Sequence, residues 1–191
     1  MAAQYYYQVS TLPMLRLGEP ARLSLEAFTG FCSRQLPAAV ATALERLGLE
    51  PDGQPCCEVE RRWQVWETYA RNCLVRLRAL RLGLDAAHFV RPVADAFPVD
   101  RRRLEEVLSD PDPLQREREL DRLRWQRLDD LAVGHEFDLE ALVLYKLRLL
   151  LVSKWGVRTA AAGRRLHERL VATGVEQAVA RRTSAGQGPG T

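Results

Sequence analysis

Lysine is almost missing from this chain. Two of its 28 basic residues are lysine, Lys146 and Lys154, and the rest are arginine. Neither lysine follows a glycine-rich loop, so the sequence has no phosphate cradle. Gly186-Gln187-Gly188 has no helix pattern after it. Histidine is scarce and scattered, at His88, His135 and His167. His135-Glu136 lacks a second histidine four residues after the first, which excludes a zincin helix. Cysteine is sparse as well: Cys56 and Cys57 are adjacent, while Cys32 and Cys73 stand apart. No Cys-x-x-Cys occurs, so the close ligand pairs of a structural zinc site are lacking. The expectation is four buried free thiols, with no metal and no cofactor. No serine or cysteine sits in a nucleophile-elbow context. Asp129-Asp130 and Glu105-Glu106 are neighbouring carboxylates, but residues one apart on a helix diverge by about 100°. They read as solvated faces, and no catalytic residue is predicted.

Long hydrophobic runs are lacking too. The most apolar stretch, Leu139 to Trp155, carries Glu140, Lys146, Arg148 and Lys154. It is too short and too charged to span a bilayer. The start of the chain has no basic-then-apolar leader pattern. A cytoplasmic protein is the expectation. Segments that alternate like strands between turn signals are absent, which leaves an all-α fold.

What the 191 residues do contain is 47% hydrophobic and 28% charged, suited to a globular domain with a real core. One helical domain is expected over 1–183. Residues 184–191, with three glycines and one proline, read as a disordered tail. Ser24 is a good helix cap, followed at helical spacing by Leu25, Phe28 and Cys32. Pro37 suits a first helical position, and Gly48 is placed to end that helix. The next pattern is the clearest. Val59, Trp63, Trp66, Ala70, Cys73, Leu77, Leu80 and Leu84 repeat at alternating spacings of four and three. This predicts a helix from about Glu58 to Leu82, roughly 37 Å long at 1.5 Å per residue. Its charges are predicted to lie off the seam. The seam suits either a coiled-coil partner or packing within a bundle; two tryptophans, an alanine and a cysteine pack poorly in a two-stranded coil, which favours the bundle. Asp100 is a candidate cap for a short helix. Asp112, with Pro113 after it, opens a long helix to about Val133. Gly134 ends that helix, and Asp138 caps the next. The helix after Asp138 is apolar nearly all round, which places it at the centre of the bundle. Gly156 is expected to stop it. A last helix is predicted from about Arg158 to Thr173, with a pattern that can continue to Arg182.

Charge is uneven along the chain. Residues 156–191 hold six arginines against Glu168 and Glu176, a net +4. The first 155 residues come to −1, so the net +3 lies wholly at the C-terminal end. Arg158, Arg164, Arg165 and Arg169 are therefore candidates for contact with an acidic protein surface or nucleic acid. A solvated helix end and tail accounts for them more simply. No aromatics interleave with them, as single-stranded nucleic acid would favour.

Two stretches carry a family resemblance. Tyr5-Tyr6-Tyr7-Gln8-Val9-Ser10-Thr11-Leu12-Pro13, followed by Ser24-Leu25-Glu26-Ala27-Phe28, resembles the opening of an uncharacterised bacterial family. Gln8 stands where that family has an apolar residue. Phe137-Asp138-Leu139-Glu140-Ala141, continuing to Tyr145-Lys146-Leu147 and Trp155, is similar to the family's late apolar helix. Its members are encoded within V/A-type ATP synthase operons, where other operons carry the d-type subunit, an all-helical protein that seats the central stalk on the membrane ring. The resemblance implies a non-catalytic accessory or central-stalk component, with ATP synthase subunits of stalk or ring as partners. It also implies a location peripheral to the inner membrane. Tyr5, Tyr6, Tyr7, Leu12 and Pro13 are then candidate partner contacts, since tyrosine gives large contact area at low entropy cost. A core-sealing N-terminal segment would explain the same tyrosines. The runner-up function is an arginine-tailed helical adaptor or nucleic-acid-binding regulator.

Overall fold

In a computed structural model of the chain, residues 5–93 and 97–157 are described. The chain divides into two compact units, Met1–Ser153 and Lys154–Thr191; residues 154–157 are the described part of the second. The fold is all-α. Among the described residues there are seven α-helices, one 3-10 turn and no strand. The helices are α1 (Tyr6–Ser10), α2 (Leu25–Gln35), α3 (Ala38–Arg46), α4 (Glu58–Leu82), α5 (Pro98–Ser109), α6 (Pro113–Leu131) and α7 (Leu139–Val157), with the 3-10 turn Ala86–His88 after α4. None of them is long and apolar enough to cross a membrane.

Side-chain caps set three of the starts. The Ser24 hydroxyl accepts from the Ala27 amide at 3.1 Å, Asp112 from Leu114 at 2.9 Å and Asp138 from Ala141 at 2.9 Å. Each satisfies an amide that has no partner within its helix. Asp100 does not cap. α5 begins at Pro98, whose fixed φ suits a first helical position, and Asp100 falls inside the first turn. Pro37 occupies the cap position and α3 begins at Ala38; it ends at Arg46, before Gly48. Gly83 ends α4 in the left-handed region, at φ +66°, and the Leu84 amide donates back to the Ala79 carbonyl at 2.9 Å. Gly156 does not stop α7, which runs on to Val157. The predicted helix from Arg158 and the predicted tail over 184–191 lie outside the described residues.

α4 packs against both α5 and α6, and α2 against α3. The heptad seam holds for its first five members: Val59, Trp63, Trp66, Ala70 and Cys73 are all buried. It then fails. Leu77 is half-buried, Leu80 is 78% exposed, and Leu84 lies beyond the helix end. A straight α-helix drifts about 20° per heptad against a 3.5-residue repeat, so a strict seam leaves the core after three heptads unless the helix supercoils. Ala79 takes up the inward position instead. Charge also turns inward: Glu60 and Glu67 on α4 are buried, contrary to the expectation that every charge lies off the packed face. Within Met1–Ser153, α7 is central. Leu142, Val143, Leu144, Leu147, Leu149 and Leu151 are buried on all sides of it.

Three of the buried charges, Glu67, Asp121 and Arg124, are paired with one another. Arg124 on α6 grips Glu67 with Nε to Oε2 at 3.0 Å and Nη2 to Oε1 at 2.7 Å, and its Nη1 donates to Asp121 at 2.8 Å. Arg71 donates to the same Glu67 Oε1 at 2.9 Å. Burial works against the Arg124 charge, but Glu67 and Asp121 outweigh it and hold the guanidinium well above its ordinary range. This forked pair fixes α4 to α6 in one register.

Candidate interaction site

The tyrosine run does two different things. Tyr5 is buried, and its amide donates to the Phe137 carbonyl at 2.5 Å, pinning the N-terminal segment beside the start of α7. α1 then turns the next two outward. Tyr6 and Tyr7 are 64% and 68% exposed, and the Tyr6 ring lies 4.3 Å from the ring of Phe137, tilted by 39°. Sealing the core and presenting a surface are thus divided among neighbouring residues.

Leu12 and Pro13 follow, half-buried, on one wall of a cleft of about 540 Å³. Leu15 lies beside them, and Trp125, Tyr145 and Arg148 form the facing wall. The Tyr145 hydroxyl donates to the Pro13 carbonyl at 3.0 Å, and its ring stacks on Phe28 at 5.4 Å. Burial pushes the Tyr145 phenol up to about 12, so it remains a donor throughout the physiological range. Arg148 donates to the Leu128 carbonyl at 3.3 Å and to Asp129 at 2.8 Å, with its guanidinium 5.8 Å over the Trp125 ring. The cleft and the exposed rings flank the same N-terminal segment, anchored on α6 and α7. Arg158, Arg164, Arg165 and Arg169 lie outside the described residues.

Phe137, Trp125, Tyr145 and Arg148 complete this surface and were not among the predicted contacts. Phe137 had a local signal, an apolar residue just before the capping aspartate.

Two other clusters carry chemistry. His135 Nδ1 lies 2.7 Å from Asp138 Oδ2, and Glu140 brings a third donor, all three within 4.8 Å of one another. The other Asp138 oxygen caps α7, so this cluster has a structural role at the helix start. The second is the thiol pair. Cys56 and Cys57 are half-buried, whereas Cys32 and Cys73 are buried. The Cys56 thiol donates to Cys57, which pushes Cys56 up and holds Cys57 below the ordinary thiol value; burial opposes this for Cys57, and the first-turn amides of Glu60 and Val59 reinforce it. Burial pushes Cys32 up to about 11 and raises Cys73 as well.

No curated protein and no solved structure matches the chain. Residues 94–177 match the family described as "Protein of unknown function (DUF2764)", a span that takes in α5, α6 and α7.

Proposed function

We propose that this chain is a non-catalytic accessory or central-stalk component of a V/A-type ATP synthase, akin to the d-type subunit, linking the rotor stalk to the membrane ring. The observation that carries the reading is the surface built by the Tyr5–Leu15 segment. Tyr5 is locked to the frame while Tyr6 and Tyr7 are offered to solvent beside Phe137. Exposed rings on a rigidly held segment are the composition that interface cores favour. The family resemblance of residues 5–36 and 137–155 supplies the identity of the complex. The DUF2764 match spans the second of these stretches. A long α4 clamped to α6 by the Arg124 fork is a stiff frame, which suits transmission of torque.

On this reading the chain hydrolyses no ATP, has no cofactor, and is peripheral to the membrane through its complex. A stable subunit contact requires an interface above about 1,000 Å². The test is purification of the tagged full chain from its native host at low salt, with mass spectrometry of the eluate. Stalk or ring subunits of the synthase are expected. Nucleic acid or an unrelated complex, without those subunits, would replace this reading with the arginine-tailed adaptor.

A further inference from the structure

A second surface lies along the α4–α6 pair. Two clefts there, of about 290 and 340 Å³, share Leu74, Arg78, Glu117 and Leu120 and so form one continuous groove. Its floor is apolar, built by Leu74, Leu77, Leu108 and Leu120. Its walls carry Arg71, Arg78, Arg81, Arg91, Arg116 and Arg124, and Glu117 is the one carboxylate on the lining.

These six guanidiniums are not equivalent. Arg71 and Arg124 are neutralised by Glu67 and Asp121 beneath them. Arg81 donates to the Leu108 carbonyl at 3.2 Å, and Arg91 to the Pro51 carbonyl at 3.4 Å; neither meets a carboxylate among the described residues. The guanidiniums of Arg78 and Arg116 have no hydrogen-bond or ion-pair partner among the described residues. The position of Arg91 is built in. Asn72, 3% exposed, donates Nδ2 to the Arg91 carbonyl at 2.8 Å and accepts the Arg91 amide at 2.9 Å. A buried amide therefore fixes the backbone that carries a cation at the mouth of the groove, which lowers the ordering cost on binding.

We infer that this groove receives an acidic amphipathic helix from a partner protein, its carboxylates on Arg78, Arg81, Arg91 and Arg116 and its apolar residues on the leucine floor. Charge complementarity and length decide the occupant. From Arg71 to Arg81 the groove runs ten residues of α4, about 15 Å, or about three turns of a docked helix. Arginine forks match carboxylates two bonds at a time. Nucleic acid fits less well, because Phe89 is the one aromatic ring on the lining and bases need stacking partners. The inference does not depend on which complex the chain joins.

The test is fluorescence anisotropy on the full chain with a labelled three-turn peptide carrying Glu and Leu on one helical face. The comparison probes are the same peptide with Gln for Glu and a single-stranded RNA. The Glu peptide is expected to bind, and the Gln peptide about tenfold or more weakly. R78E/R116E should also weaken the Glu peptide about tenfold or more, whereas R78K/R116K should keep most of the binding. R164E/R165E should keep it too, which separates the groove from the arginine-rich C-terminal end. No binding of the Glu peptide would overturn the inference. So would a loss confined to R164E/R165E, or RNA binding more tightly than peptide with the same Arg78 and Arg116 dependence.

Discussion

Trp63 and Trp66 are a matched pair for testing how α4 is held. Both are buried, at 0% and 1% exposure, and their rings lie 5.8 Å apart. They differ in one respect. The Trp66 indole donates to Asp100 on α5 at 2.8 Å, while the buried Trp63 indole nitrogen has no partner among the described residues. Replacing each by Phe removes similar volume, so the packing costs largely cancel in the comparison. Trp66→Phe additionally loses a hydrogen bond to a charged group, about 1.5–3 kcal/mol. Trp63→Phe removes a donor that already stands desolvated and unsatisfied, which offsets part of its packing loss. Trp66→Phe should therefore be less stable than Trp63→Phe by at least about 1.5 kcal/mol. At a urea m-value of about 1–3 kcal/mol/M, the two midpoints should separate by roughly 0.5–1.5 M. Far-UV circular dichroism is the right signal, since tryptophan fluorescence is altered by both changes. Coincident midpoints, or a lower midpoint for Trp63→Phe, would refute the reasoning and the α4–α5 tie.

Three further outcomes follow from the charges and thiols. Arg124→Ala should cost about 3–5 kcal/mol by removing the buried fork on Glu67 and the bond to Asp121, whereas Arg122→Ala, which breaks the exposed pair with Glu119, should change stability by less than about 1 kcal/mol; urea titration of both checks this. Lys146 is 6% exposed, with Nζ 5.8 Å from the Phe28 ring centre, and burial lowers its pKa against the smaller raising effects of Cys32 and Glu45. The unfolded chain binds that proton more tightly, so Lys146→Met should raise the denaturation midpoint at neutral pH. This gain should shrink as pH rises through the lowered pKa toward the ordinary lysine value. In limited alkylation with iodoacetamide near neutral pH, peptide mapping should find Cys57 modified before Cys32 and Cys73, since its thiolate persists to lower pH.

Much of this architecture is written locally. Capped starts at Ser24, Asp112 and Asp138 are set by side chains within three residues of the amides they satisfy. The extent of α4, Glu58–Leu82, matches the helix expected from its period. What required the fold was anything that depends on accumulated rotation or on distant partners. Leu80 keeps the heptad spacing yet is exposed, because 3.6 residues per turn carries it off the packed face. Glu67 reads as a surface charge until Arg124, 57 residues away, is brought against it. The groove was hidden for the same reason. Arg71 and Arg78 share one face of α4, but their meaning depends on Arg116 across the gap and on Asn72 holding Arg91. Even the tyrosine run resolved only in three dimensions, into one anchor and two exposed rings.

The central claim is that the Tyr6–Tyr7 face docks this chain on a V/A-type ATP synthase. Its most direct test is the amount of synthase stalk and ring subunits recovered per tagged chain, measured by mass spectrometry at low and high salt. The comparison is between the native chain and Tyr6→Ala/Tyr7→Ala. The account predicts recovery with the native chain at both salts and a large loss with the double variant at both, because an apolar contact is insensitive to screening. Equal recovery from the two chains, or a native chain that brings down no synthase subunit at low salt, would contradict it.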